Sequence, residues 1–298
     1  MYIIENANIL RDKRLHTCSL FICNEKISMI RKSTAHDQYM RMNLESYILT
    51  PSYVLLSTAF PMKSTFQVLK TFLSEKFLLK GCTTIFTYVE LSYENELENK
   101  INEMKTALIS SPIDFIIGVK IPPRLITLSL IRNCKKLKIP AIFVELKDND
   151  ELEEIPWGWI REAMFPFNSP LIPLISSPQK KEARMLLSKW KDIMVKEKIT
   201  AIYDVIAENQ PLSLAVLNKI GLYPHKGSLM TGTELSYNLY LKESEILKVD
   251  AESLFHYHSN RLVATVHKGK VIRAGEKVLY SPGSGEYVKV RTPSYFSL

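Results

Sequence analysis

The sequence has no long hydrophobic run. Nothing in the 298-residue chain approaches the roughly 18 consecutive apolar residues of a membrane-spanning helix. The first residues, Met1–Glu5, do not place a basic region ahead of a long apolar one, as a secretory signal does. We therefore expect a cytoplasmic protein with no membrane partner.

Cysteines are few, and none forms a C-x-x-C pair. The four are Cys18, Cys23, Cys82 and Cys134. Their spacing matches neither a zinc motif nor a redox motif. A chain of this length without a secretion signal does not need a disulfide framework, so we expect free and mostly buried thiols.

The formal net charge of +8 invites a nucleic-acid hypothesis. The lysines are dispersed, however, and many stand beside glutamates, as in residues 94–105. The densest basic cluster, residues 132–138, is soon followed by the acidic run 148–154. This mixed pattern favours a solvated, slightly basic surface, and we expect no nucleic-acid partner.

Hydrophobic periodicity divides the chain into three parts. Residues 2–32 contain short apolar runs separated by polar turns, which is typical of β-strands, and 33–46 is predicted to be a loop. Between residues 48 and 145, β-prone runs alternate with segments of helical periodicity. Short β-type runs return after Leu235. The middle part predicts a parallel sheet covered by helices.

Several segments, in order along the chain, resemble those of a known family. They are Lys-Gly-Cys-Thr-Thr-Ile at 80–85, Gly-Leu-Tyr-Pro-His-Lys-Gly-Ser-Leu at 221–229, and the runs 249–254 and 263–272. Together they resemble the amidohydrolase superfamily, most closely its dihydroorotase, hydantoinase and allantoinase branch. The resemblance implies a TIM-like (β/α) barrel at 51–225, beside a small β-sandwich made of 1–50 and 226–298. Few residues lie between 177 and 199, so we expect the barrel to be shortened or distorted.

The resemblance also implies a metal centre that activates water, held by four histidines, an aspartate and often a carboxylated lysine. No histidine occurs between Asp37 and Pro224. The residues that stand near the places of the family's ligands are Ser57, Ala59, Phe143, Glu145, Ser176 and Asp204. Asp204 takes the place of the family's last aspartate. We therefore expect no bound metal and no cofactor.

Charged residues predicted at the carboxyl ends of barrel strands are the remaining catalytic candidates. Lys120, Glu90 and Glu145 follow three of the β-prone runs, and a carboxylate pair there could perform acid–base chemistry. Solvated charges on a barrel rim are the simpler alternative. A nucleophilic Ser57 or Thr58 would need a lysine as its base, either Lys63 or Lys120.

His256-Tyr257-His258 is the single His-x-His in the sequence. On a strand, residues two apart face the same side, which suits a metal. The segment before it resembles the family's connection to the closing sandwich strands, outside the barrel. A surface or packing role is therefore favoured over a metal site.

Two functions follow from these patterns. The leading hypothesis is a catalytically degenerate amidohydrolase-like protein without the metal site, with a binding, structural or regulatory role. Its expected partners are a second copy of the chain or an active homologue, and its small-molecule ligand is not defined by the sequence. The alternative is a hydrolase of cyclic amide C–N bonds with a rearranged site. Its catalytic candidates are Asp204, Lys120 and Glu145.

Overall fold

The computed structural model describes residues 1–11, 14–32, 38–61, 64–147, 152–175, 180–243 and 250–294. The strands are β1 (Tyr2–Arg11), β2 (Arg14–Cys23), β3 (Lys26–Arg31), β4 (Met40–Asn43), β5 (Tyr47–Pro51), β6 (Tyr53–Leu56), β7 (Cys82–Glu90), β8 (Asp114–Ile121), β9 (Ile142–Leu146), β10 (Leu171–Ile175), β11 (Tyr237–Leu241), β12 (Leu262–His267), β13 (Lys270–Ala274) and β14 (Lys277–Val278). The α-helices are α1 (Phe66–Lys76), α2 (Leu97–Ala107), α3 (Leu128–Lys136), α4 (Trp157–Met164), α5 (Lys180–Lys196), α6 (Leu214–Lys219) and α7 (Ala251–Tyr257). Among the described residues, no helix is both long enough and apolar enough to cross a membrane.

Strands from both ends of the chain form one nine-stranded sheet. Its order is β14-β13-β12-β11-β5-β1-β2-β3, and β4 also pairs with β1. Strand β5 lies antiparallel to β11, which joins the two ends of the chain. Strand β4 lies within the stretch that the sequence predicted to be a loop, which corrects that prediction for 40–43. Both chain ends thus contribute to a sheet that is separate from the parallel sheet, and the predicted sandwich with its domain bounds stays a prediction.

The middle of the chain forms a five-stranded parallel sheet in the order β10-β9-β8-β7-β6. Helices connect successive strands, as the alternating pattern predicted. Helix α1 and the short 3₁₀ turn after it end at Gly81, whose φ of 76° is a conformation that glycine adopts at little cost. The predicted mixed α/β class is therefore confirmed.

One segment of the chain runs between the two edges of the parallel sheet. Ala201 forms a parallel bridge with Leu171 of β10, and the amide of Ile202 donates to the Leu171 carbonyl (2.8 Å). At the other edge, the Leu212 amide donates to the carbonyl of Val54 in β6 (2.9 Å). The sheet is therefore curled, and we call it the half-barrel. It has five strands, fewer than the eight strands of a complete barrel.

The run 285–290 fills a gap beside the first half of β8. Strand β9 pairs with β8 only from Val119 onward, and the amide of Phe115 instead donates to the Glu286 carbonyl (3.0 Å). A Cβ atom added to Gly285 would lie 2.0 Å from the Ile113 carbonyl oxygen. Only glycine therefore fits at this position without a shift of the backbone. The predicted domain boundaries assign this run to the β-structure, whereas its hydrogen bonds go to the half-barrel.

Apolar side chains pack in three layers. The inner face of the half-barrel holds one cluster, which includes Phe86, Phe143 and Ile172. A larger cluster lies between the outer face of the half-barrel, its helices and one face of the nine-stranded sheet. The other face of that sheet has its own cluster. The hydroxyls of Tyr53 and Tyr240 meet at 2.7 Å within the larger layer and join the two sheets.

Candidate active site

Three charged side chains meet at the carboxyl edge of the half-barrel. Strands β7 and β8 are paired so that Glu90 lies opposite Lys120. The Lys120 Nζ lies 3.0 Å from Glu90 Oε1 and 3.2 Å from Glu145 Oε1. The sequence predicted that these residues would lie at strand ends, and the structure brings them into one ion-pair network.

The surroundings of Lys120 keep it positively charged. Its side chain is only 17% exposed, whereas that of Glu90 is 65% exposed. Burial by itself lowers the pKa of the Lys120 ammonium, but the hydrogen bonds to Glu90 and Glu145 outweigh burial and raise the pKa above its ordinary value. An ammonium with a raised pKa is a poor proton acceptor at neutral pH. The hypothesis that Lys120 is a base for a serine or threonine nucleophile is therefore not supported.

A second polar group borders this network, and of its members the sequence singled out only Thr58. The Thr58 hydroxyl donates to Glu208 Oε1 at 2.5 Å. The hydroxyl of Tyr88 hydrogen-bonds Thr58, and its ring centroid lies 4.7 Å from that of Phe143. Burial raises the pKa of Tyr88, while the charges of Lys120 and Glu208 act in opposite directions. The phenol is therefore protonated at neutral pH.

Sequence reasoning missed Tyr88 and Glu208 for different reasons. For Tyr88 a signal existed: it lies two residues before Glu90 on the same strand, and strict alternation places both side chains on one face of the sheet. Glu208 lies in an irregular segment without periodicity, and only the course of that segment across the edges of the half-barrel brings it to Thr58. No local signal marked Glu208.

Ser57 and Ala59, where the resemblance would place the family's first two histidines, have side chains that are poor metal ligands. Ser57 is buried, and its amide donates to the Phe86 carbonyl (2.9 Å), while Ala59 is exposed. In the part of the chain that the structure describes, no side-chain base lies within hydrogen-bond distance of the Ser57 hydroxyl. Lys63 and Ser176 lie outside the described residues.

The donor set at this edge does not fit the metal centre that the fold family implies. Its carboxylates already share the ammonium of Lys120, and the described residues supply no imidazole there. Within the described ranges, the ligand atoms of three His, Cys, Asp or Glu side chains come within 4.8 Å of one another only at Asp114, Glu234 and His267. That group lies at the amino edge of the half-barrel, where β8 begins.

An ammonium group occupies the centre of this amino-edge group. The Nζ of Lys226 lies 2.5 Å from Asp114 Oδ2 and 2.5 Å from Glu234 Oε1. Lys268 Nζ approaches Asp114 Oδ1 at 2.9 Å, and His267 Nε2 lies 3.5 Å from the same oxygen. Since Lys226 takes the position of a cation between the two carboxylates, we assign the group as a buried ion-pair network.

The network connects four segments that are distant in the sequence. The side chain of Asp114 in β8 contacts Lys226 in the segment that leaves the half-barrel and His267 in β12. It also accepts a hydrogen bond from the backbone amide of Glu286 (2.9 Å). Burial would raise the pKa of Asp114, but the contact with His267 and the charge of Lys226 outweigh burial and hold that pKa well below its usual range.

The remaining sequence candidates lie elsewhere. Asp204 lines a separate cleft with Tyr203 and Lys219, and its catalytic role stays a prediction. His256 lies in helix α7 and His258 at the C-cap of that helix. The strand geometry considered for this His-x-His is therefore wrong, because the segment is helical.

The half-barrel with its accompanying sheet is similar in fold to several solved hydantoinases. The chain is similar to a D-hydantoinase, with a TM-score of 0.66 and 12% identity over 99% of this chain and 100% of that one. It is also similar to the dihydropyrimidinase from Brevibacillus agri NCHU1002, with a TM-score of 0.62 and 10% identity over 98% and 99% of the two chains.

A third similar structure is the L-hydantoinase (dihydropyrimidinase) from Arthrobacter aurescens, with a TM-score of 0.54 and 12% identity over 97% of this chain and 100% of that one. Neither a family model nor a curated protein sequence matches the chain. Identities this low show a shared fold alone. The fold that the resemblance implied is thus shared with solved hydantoinases and a dihydropyrimidinase.

Proposed function

We propose that this protein hydrolyses a C–N bond of a small cyclic amide at the carboxyl edge of its half-barrel. The observation that carries the proposal is Lys120, held between the carboxylates of Glu90 and Glu145 at the edge where barrel enzymes build their sites. The names of the solved structures with this fold, hydantoinases and a dihydropyrimidinase, support the substrate class.

Each side chain has a role that follows from its surroundings. The exposed carboxylate of Glu90 takes a proton from the attacking water. The ammonium of Lys120 stabilises the negative charge that develops on the carbonyl oxygen. The protonated hydroxyl of Tyr88 donates a proton to the leaving nitrogen as the C–N bond breaks. One water is consumed, and the ring opens to an N–H group and a carboxylate, which has lost its proton to solvent. Glu90 then releases its proton to solvent and Tyr88 takes one back, which restores both residues.

Glu145 is a positioning residue in this scheme. It accepts from Lys120 at 3.2 Å and from the more exposed Lys147 at 3.3 Å. It therefore fixes the ammonium from the side opposite Glu90. Because the donor set does not fit the family's metal centre, no step of this proposal passes through a metal.

Turnover of hydantoin and dihydrouracil, followed by chromatography of the ring-opened products, tests the proposal. We expect activity in the wild type and a loss of about a hundredfold or more in kcat/KM for Lys120→Met, since a charge-stabilising donor is removed. The matched control is Lys147→Met, which removes an exposed lysine from the same carboxylate. Its activity should stay within about twofold, because exposed ion pairs contribute little.

Two results would contradict the proposal. Equal losses in Lys120→Met and Lys147→Met would show a nonspecific charge effect. One equivalent of bound zinc, manganese or iron, with turnover abolished by a chelator and restored by that metal, would assign the chemistry to a different site.

A second candidate is a binding or regulatory protein without turnover. The absence of histidine between Asp37 and Pro224 favours it, since the metal ligands that the resemblance implies are missing. Its partners would be a second copy of the chain or an active homologue. Saturable binding of hydantoin without product, or co-purification with an active hydantoinase, would support it. A protein that shows neither binding nor turnover would contradict both candidates.

A further inference from the structure

A cleft of about 330 Å³ lies along residues 202–213 and helix α6. This volume is within the range of sites that bind small molecules. None of the side chains at the carboxyl edge of the half-barrel lines it. Most of its lining is apolar, and it includes the charged side chains of Lys219 and Asp204. We call it the α6 cleft.

Lys219 brings a positive charge to the cleft without a matching anion. Its half-buried Nζ donates to the carbonyl of Ala201 at 2.5 Å and lies 4.7 Å from the ring centroid of Tyr203. An ammonium has three N–H donors, and in the described part of the chain no carboxylate lies within ion-pair distance of this one. Burial lowers the pKa of the Lys219 amine, as expected where no anion offsets desolvation.

Asp204 brings a negative charge to the same cleft. Its side chain is exposed, and within the described ranges it forms no salt bridge with Lys219 or any other cation. The two opposite charges therefore line one small cavity without neutralising each other. A ligand that carries both charges would pair with both side chains, and charge-assisted hydrogen bonds are about twice as strong as neutral ones.

The apolar lining defines the rest of the ligand. Ile202, Ile206 and Val216 line the α6 cleft and offer hydrocarbon surface to a short side chain. We propose that the α6 cleft binds a small aliphatic amino acid, whose carboxylate contacts Lys219 and whose ammonium contacts Asp204. This site is separate from the carboxyl edge, so it stands or falls independently of the hydrolase proposal.

Isothermal titration calorimetry with L-leucine and D-leucine tests the recognition. Two analogues each lack one charge: 4-methylpentanoate has no amine, and 3-methylbutylamine has no carboxylate. We expect leucine to bind and each analogue to bind at least about tenfold more weakly, since each loses one charged contact. Absence of leucine binding at millimolar concentration, or equal binding of leucine and both analogues, would overturn the proposal.

Substitutions locate the binding in this cleft. Lys219→Met and Asp204→Asn should each weaken leucine binding by about tenfold or more, and Lys219→Arg should retain most of it. The matched control is Lys191→Met, because Lys191 is exposed and its Nζ also lies near the Tyr203 ring, at 5.9 Å, without lining the cleft.

Urea titration of each variant separates a binding defect from a folding defect, and Lys219→Arg keeps the test decisive if Lys219→Met fails to fold. A loss in Lys191→Met equal to that in Lys219→Met would place the binding elsewhere. A loss in Lys219→Arg equal to that in a folded Lys219→Met would show that charge is not what Lys219 contributes.

Discussion

The two ends of strand β8 carry the same kind of ionic contact in opposite surroundings. At its first residue, the Asp114 side chain is 1% exposed, and the Lys226 that contacts it is 5% exposed. Near its other end, Lys120 contacts a Glu90 side chain that is 65% exposed. Removing one partner of a buried pair leaves an uncompensated charge, whereas water screens an exposed pair.

The difference in exposure suggests different roles for the two ends of β8. The charges around Asp114 come from distant segments that the sheets and the run 285–290 bring together, and they already pair with one another. The charges around Lys120 open to solvent on the Glu90 side and can meet a substrate. We therefore expect substitutions at the amino edge to change folding, and substitutions at the carboxyl edge to change activity.

The largest effect is expected from Lys226→Met. It removes the cation between Asp114 and Glu234 and leaves two carboxylates facing each other. We expect the free energy of unfolding to fall by about 3–5 kcal/mol, as for other broken buried pairs. Urea denaturation followed by circular dichroism measures it. A change equal to that of the exposed Lys147→Met would contradict the assignment of a buried network.

Asp114→Asn is expected to cost about 3 kcal/mol at neutral pH, at the low end of the same range, because an amide still accepts hydrogen bonds. It should also change the acid response. The pKa of Asp114 is depressed in the folded state, so its contribution is complete above its ordinary value of 3.8 and is lost as the pH falls below it.

Wild-type stability should therefore fall more steeply with acid than Asp114→Asn stability once the pH drops below about 4. Urea midpoints measured across the acid range test this. Parallel curves for the two proteins would show that the Asp114 carboxyl does not titrate as the contacts imply.

A glycine beside the network sharpens the comparison. Alanine at Gly285 would place its Cβ 2.0 Å from the carbonyl oxygen of Ile113, so we expect Gly285→Ala to cost about 1–3 kcal/mol through backbone shifts. The control is Gly158→Ala in helix α4, where nothing lies within 4 Å of the added Cβ. That change should stabilise by about 0.5 kcal/mol. Equal effects would show that the run 285–290 does not pack closely on β8.

A small loss of stability is expected from Lys120→Met. Its ion pair with Glu90 is partly exposed, whereas Glu145 is only 18% exposed, so we expect the free energy of unfolding to fall by about 1 kcal/mol, well below the loss in Lys226→Met. The same urea titration measures it. A loss of unfolding free energy as large as that in Lys226→Met would contradict the proposed difference between the two ends of β8.

The sequence by itself determined the succession of strands and helices in the half-barrel and the class of residue at the strand ends. Continuous β-prone runs identify β7, β8 and β9, because a parallel strand covered on both faces is buried along nearly its whole length, and helical periodicity identifies the helices between them. In a parallel sheet the carboxyl ends meet at one edge, so Glu90, Lys120 and Glu145 could be expected there. The lack of histidine from Asp37 to Pro224 is also evident from the sequence alone.

Only the tertiary structure decided which charges meet. Lys226 lies 112 residues from Asp114 in the chain and contacts it at 2.5 Å, and Thr58 meets Glu208 across 150 residues. No local pattern encodes such pairs, because they depend on how the curled sheet, the returning segment 201–212 and the run 285–290 pack. The same packing determines that the charge at one end of β8 is buried and the charge at the other end opens to water.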